Sequence, residues 1–258
     1  MEWTKELKED IEKYDPEFPK GIRSASASDI LELTAILRKT LPSDYREFLE
    51  FMGNLDGGLL YSERISTAIG DVISYSEECL EGDPEHSFDQ CIPIAVGLDF
   101  EGFGISPSSD REQQRIVFLE DGQAGDVAFG SLPAMCFSHA FMYEQCATGG
   151  WALIHPAIEA PDVDTLSQRL AESGYLRQWF SKGNQLYFRR DKKLVTIVAD
   201  RPRSPVIYVG GQEASAIEAA LSDVEGVIGN CRPEWRKRVT LPEARKYTLD
   251  AIRDEGED

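Results

Sequence analysis

Leu41-Pro42-Ser43-Asp44-Tyr45-Arg46-Glu47-Phe48-Leu49-Glu50-Phe51-Met52-Gly53-Asn54-Leu55-Asp56-Gly57-Gly58 is the stretch around which the rest of the chain is read. Pro42 suits the first helical position, where its missing N–H has no intrahelical partner to lose. Ser43 and Asp44 fill the first turn, where a carboxylate meets the positive end of the helix dipole. Tyr45, Phe48, Leu49 and Met52 recur at i, i+3, i+4 and i+7, which predicts one apolar helix face. Gly53 and Asn54 are expected to stop the helix by taking positive φ. Asp56, Gly57 and Gly58 then predict a turn, and Leu59, Leu60 and Tyr61 a first strand.

The stretch resembles the signature of the SUKH superfamily, which includes a fungal cell-wall-synthesis regulator and many bacterial immunity proteins. The matching residues are Leu41, Pro42, Tyr45, Phe48, Leu49, Asn54, Gly57 and Gly58, with Leu55 and Asp56 as a departure between the Asn and the glycines. Ile92 to Ser106 resembles the family's central strand, glycine-rich turn and following strand. The resemblance implies an α+β fold over residues 1–154, a mixed or antiparallel central sheet with flanking helices, closed by a helix over Leu132 to Cys146.

Working outward, Trp3, Leu7, Ile11 and Tyr14 form a stripe on an N-terminal helix, which is expected to dock on the main domain. Ser24 to Asp29 offers N-caps for a helix through Ile30, Leu33 and Leu37, ending near Thr40 before Pro42. Ala68 to Tyr75 reads as strand-like, and Glu77 to His86 as a short helix and loop. Ile92 to Val96, Ile116 to Glu120 and Val127 to Phe129 are further strands. Pro156 and Pro161 mark a linker, and residues 155–258 read as a smaller α/β unit, α-β-β-β-α-α, to which no family attaches. Its helices are Thr165 to Ser173, Glu213 to Val224 and Thr240 to Arg253, and its strands Gln185 to Arg189, Leu194 to Ala199 and Val206 to Val209. The tail from Asp254 to Asp258 is expected to be disordered.

The net charge is −19 over 258 residues, and it is uneven. Residues 1–154 hold 11 Lys and Arg against 29 Asp and Glu, whereas residues 155–258 are nearly balanced. Such an acidic half repels nucleic acid and anionic membranes and attracts basic partners. No apolar run is long enough to span a membrane, and Met1 to Asp15 lacks a signal-peptide core, so a cytoplasmic chain is expected. Five cysteines at irregular spacing, with no CxxC pair, predict reduced thiols and no zinc.

No catalytic constellation stands out, and no cofactor is expected. Cys136 and His139 share a helical face, but that spacing equally describes a buried stripe. The glycine-rich run from Gly97 to Gly104 lacks the lysine of a phosphate loop. Arg189, Arg190, Lys192 and Lys193 cluster at a hairpin, and Arg232, Arg236, Lys237 and Arg238 surround Trp235; solvated edges account for the first group at least as well as phosphate contacts.

The resemblance implies a non-catalytic immunity protein that neutralises a basic toxin domain, possible nucleases among them, by stoichiometric capture. Charge then nominates the contacts as Asp56, Glu63, Glu77, Glu78, Glu81, Asp83, Glu85, Asp99, Glu101, Asp121 and Asp126, with Tyr61, Tyr75, Phe100 and Phe103 as aromatic anchors. A regulatory scaffold recruiting a cellular partner is the alternative, and the additional C-terminal unit is consistent with it.

Overall fold

The computed structural model describes residues 2–60, 65–82, 88, 90–97, 102–108, 113–120, 123–147, 151–156, 162–183, 185–199, 205–211, 213–228 and 231–236. The class is α+β: every strand pairing described is antiparallel, and helices accompany the sheets. Contacts divide the chain into Met1–Phe137 and Ser138–Asp258. The division falls earlier than the 154/155 boundary expected from composition, because the strand at Trp151–Pro156 is hydrogen-bonded into the second unit's sheet.

In the first unit, α1 (Trp3–Glu12), α2 (Phe18–Gly21) and β1 (Ile22–Arg23) lead to α3 (Ala27–Leu37) and α4 (Ser43–Met52). The N-terminal helix does dock: Trp3, Leu7 and Ile11 are buried, and Thr4 donates from its amide and its hydroxyl to Glu47 of α4 at 3.2 and 3.1 Å. Ser26 and Asp29 cap α3 reciprocally, and Arg38 ends it in the left-handed region, φ 52°. On α4 the apolar face is as expected, with Tyr45, Phe48, Leu49 and Met52 at most 1% exposed. Pro42 is the N-cap residue of α4, one position before the expected one.

The turn after α4 differs from expectation. Gly53 keeps helical φ of −72°, and its need for glycine is steric: a Cβ there would meet Leu49 Cα at 2.5 Å. The positive φ values fall on Gly57 (65°) and Gly58 (84°). The first strand after α4 is β2 (Leu55–Asp56), paired with β1, and not Leu59 to Tyr61. Leu59 and Leu60 are buried in a bend held by Asp56, and Tyr61 lies outside the described residues.

Ala68 to Tyr75 is not a strand either. After β3 (Ile65–Ser66), the chain forms α5 (Ile69–Gly82). Ile69, Val72, Ile73 and Ser76 are buried at i, i+3, i+4 and i+7. Helical periodicity outweighs the strand preference of its three β-branched residues, a difference of only tenths of a kcal/mol each. Next come β4 (Ile92–Gly97), β5 (Gly102–Ile105), β6 (Ile116–Glu120) and β7 (Gln123–Phe129), which with β3 make a five-stranded meander in sequence order.

The helix α6 (Leu132–Ala147) runs across the division. In the second unit, β8 (Trp151–Pro156), α7 (Val163–Glu172), β9 (Leu176–Arg177), β10 (Gln185–Arg190), β11 (Lys193–Val198), β12 (Val206–Gly211), α8 (Ala214–Ile228) and β13 (Cys231–Arg236) follow. The sheet order is β13-β8-β12-β11-β10-β9. The three expected strands are present; β8, β9 and β13 are additional. Pro233 accounts for the obscurity of β13, since proline belongs on an edge strand, and β13 is one. The last expected helix, Thr240 to Arg253, and the tail lie outside the described residues.

Alternation along β10 to β12 decides which side chains face which layer. Leu186, Phe188, Val195, Ile197, Ile207 and Val209 join Leu166 and Leu170 of α7 and Ile217, Ala220, Leu221 and Val224 of α8 in one core. The other face receives the C-terminal part of α6. There Gln145, fully buried, donates to Leu194 O (3.2 Å) and Tyr208 O (2.8 Å) and accepts from Thr196 Oγ1 (2.9 Å). Gly210 gives it room: a Cβ would stand 2.3 Å from Gln145 Cγ. Gly210→Ala is therefore expected to cost about 2–4 kcal/mol by overpacking and displacement of the amide, read as a lower urea midpoint.

Candidate partner-binding surface

The structure sorts the nominated contacts by burial. Glu77, Glu78 and Glu81 are exposed on α5, and Asp126 is exposed on β7. Asp71 and Ser74, not nominated, are exposed on the same helix. Asp71, Ser74, Glu78 and Glu81 follow i, i+3, i+7 and i+10, one stripe opposite the buried Val72, Ile73 and Ser76. Asp71 accepts from Ser66 Oγ at 2.5 Å. Reading Ala68 to Tyr75 as a strand hid the stripe, and the signal that reveals it is the three-to-four spacing of Ile69, Val72, Ile73 and Ser76.

Like α3, α6 and α8, α5 contains neither Lys nor Arg, and of these four helices it exposes the most carboxylates, Asp71, Glu77, Glu78 and Glu81. On α1, by contrast, Lys5–Glu9, Lys8–Glu12 and Lys13–Asp10 neutralise the acids within the helix. The unbalanced charge on α5 thus projects into solvent.

Asp56 leaves the set of contacts. It is 2% exposed, and its carboxylate accepts from Gly58 N (2.8 Å), Leu60 N (2.7 Å) and Thr67 Oγ1 (3.1 Å). The two described anchors also turn inward: Tyr75 is 8% exposed, and Phe103 is 3% exposed with its ring 5.4 Å from Phe118 and 6.2 Å from Phe129. Glu63, Asp83, Glu85, Asp99, Glu101, Asp121, Tyr61 and Phe100 lie outside the described residues.

The Cys136–His139 alternative meets a buried environment. Cys136 is fully buried and His139 is 5% exposed. Burial, with the Asp56 charge adding to it, pushes the Cys136 thiol well above its usual range and keeps it protonated, the opposite of what a nucleophile needs. Burial also pushes the Cys91 thiol up to about 11, with a smaller contribution from Cys79. Of these three, the half-buried Cys79 should therefore react first with iodoacetamide at pH 8, read by mass mapping; faster labelling of Cys136 would contradict its placement. Among the described residues no group of three His, Cys, Asp or Glu side chains is placed to hold a metal ion, and no helix is long and apolar enough to cross a membrane.

The basic cluster at the β10–β11 hairpin is engaged locally. Arg189 forms a two-pronged pair with Glu144, Lys193 and Arg190 approach Asp223, and Lys192 pairs with Glu213. Arg232 and Arg236 are on β13, and Lys237 and Arg238 lie outside the described residues. Among the described residues of the second unit, the large apolar side chains of Leu176 (72% exposed) and Trp179 (61%) face solvent, at and just beyond β9 on the sheet's edge.

Comparison with protein-family models, with curated proteins and with solved structures finds no match.

Proposed function

We propose that the chain is a non-catalytic binding protein that captures a basic protein partner through the acidic face of α5, as an immunity protein captures a toxin domain. The observation that carries this reading is the exposed Asp71, Glu77, Glu78 and Glu81 on a helix without a single compensating cation. Moving the division to Phe137/Ser138 shifts only Glu144 between the halves, so the charge asymmetry stays with the first unit. Surface carboxylates with no ion pair among the described residues add little to stability, so their concentration on one helix face serves association better than folding. The likeness of Leu41 to Gly58 to the SUKH signature supports the immunity role, with a cytoplasmic toxin domain as the partner.

The triple variant Glu77→Lys, Glu78→Lys and Glu81→Lys tests it. All three sites are exposed, so the fold should persist, within about 1 kcal/mol. Protection of cells expressing the toxin domain from the same locus should fall, with at least tenfold weaker binding. Undiminished binding would move the interface elsewhere.

A second reading, a scaffold with a further partner, is favoured by one observation: exposed Leu176 and Trp179 at an open sheet edge. Aromatic side chains of this kind anchor interfaces. Trp179→Ala should then abolish recovery of a housekeeping partner from toxin-free cells while leaving toxin binding intact.

A further inference from the structure

In the first unit, an open cleft of about 580 Å³ lies where α3 hands over to α4. That volume falls within the range of about 300–1,000 Å³ typical of small-molecule sites. Lys39, Thr40, Leu41, Pro42, Ser43 and Arg46 line one side, and Pro107, Ser108 and Gln114 the other.

Three features of its lining converge. Lys39 and Arg46 bring two cations together in the acidic half of the chain. The N-terminus of α4 opens here with Pro42 as its cap, and no side chain caps it. The first intrahelical bond is from Arg46 N–H to Pro42 O at 2.9 Å, so the preceding amides are directed beyond the helix end. Gln114 is 1% exposed; its Nε2 donates to Ser108 O at 2.9 Å, which fixes the amide orientation, and leaves Oε1 a buried acceptor without a partner among the described residues. Such an acceptor is costly to leave unmet. Asp44, in the same turn, is buried and is not among the lining residues.

A ligand matching this lining is anionic toward Lys39, Arg46 and the helix end, and carries a hydrogen-bond donor for Gln114. We propose that the cleft binds a phosphate group, either the free ion or a monoester. Its second ionisation lies near pH 6, so at that pH about half of the groups carry charged oxygens together with a P–OH. Sulfate has the charge and lacks the donor, which makes it the discriminating control.

The experiment titrates the full chain at pH 6 with inorganic phosphate, sulfate and ribose 5-phosphate, following backbone amide resonances. Phosphate should shift Ser43, Arg46 and Gln114 in one saturable curve, with sulfate at least tenfold weaker. Arg46→Ala, at an exposed helical position, should weaken phosphate at least tenfold while the remaining spectrum is kept. Ribose 5-phosphate binding tighter than phosphate assigns the site to small organic esters; equal affinity assigns it to the free ion. No saturable shift, equal affinity for sulfate, or an unaffected Arg46→Ala overturns the proposal. The triple Lys variant of α5 leaves this titration unchanged if the two surfaces are separate in function, so failure of either proposal is read independently.

Discussion

Asp56→Ala is expected to lower the stability of the first unit by about 3–5 kcal/mol, a large share of the 5–15 kcal/mol typical of a domain. The carboxylate closes the turn between α4 and α5 through two backbone N–H groups and one hydroxyl. Bonds to a charged acceptor contribute about 1.5–3 kcal/mol each, and truncation also leaves the buried Leu60 amide without its acceptor. Asp56→Asn retains one acceptor oxygen and should cost less, about 1–2 kcal/mol. Thr67→Val removes one hydroxyl and should cost about 1 kcal/mol. Amide exchange of the α4 and α5 segments reads the loss within the unit concerned. Unchanged protection in Asp56→Ala would show that the turn is held by its glycines alone.

Arg189→Ala should destabilise the second unit by about 3–5 kcal/mol, the range for orphaning one member of a buried pair. Glu144 has a side chain only 2% exposed, and Arg189 reaches it with two N–H groups at 3.1 and 2.5 Å. The guanidinium also lies 5.4 Å from the Phe141 ring centre. The substitution thus removes the fork, the cation over the ring and the counter-charge together. Arg189→Lys keeps the charge without the planar fork and should recover only part of the loss. The double variant Glu144→Leu and Arg189→Met should return to within about 1–2 kcal/mol of the parent, because neither charge is then left buried alone. A double variant as damaged as Arg189→Ala would mean that the pair is needed for more than mutual neutralisation.

Legibility in the sequence followed the strength of local periodicity. The organising helix α4 declared itself through Tyr45, Phe48, Leu49 and Met52, and β6, α6 and β10 to β12 were found close to their observed limits. The errors have physical causes. Ile69, Val72 and Ile73 mimic a strand by composition, and only their spacing betrays α5. The pairing of β8 with β13 joins residues about eighty positions apart, and no local pattern encodes it. Pro156 moreover reads as part of a linker, and Pro233 removes an N–H that a central strand would need.

At the candidate surface, composition supplied the sign of the charge and the fold supplied its address. Asp56 is as acidic as Glu78 in a sequence, yet its bonds to Gly58, Leu60 and Thr67 turn it into a bracket for a turn. Phe103 belongs to the sheet's aromatic cluster for a similar reason: strand alternation, invisible in a glycine-rich run, sends its ring inward. The cleft beside α4 could not be anticipated, because Gln114 and Arg46 are far apart in sequence and neither carries a motif.

The most direct test of the acidic-capture account is the association rate between the full chain and the basic partner proposed for it, a toxin domain, measured by stopped flow from 25 to 500 mM NaCl. Charge steering predicts a fall of at least tenfold across that range, as screening shortens the reach of α5, and a much shallower dependence in the Glu77, Glu78 and Glu81 triple Lys variant. A rate that stays flat with salt in the parent chain would contradict it.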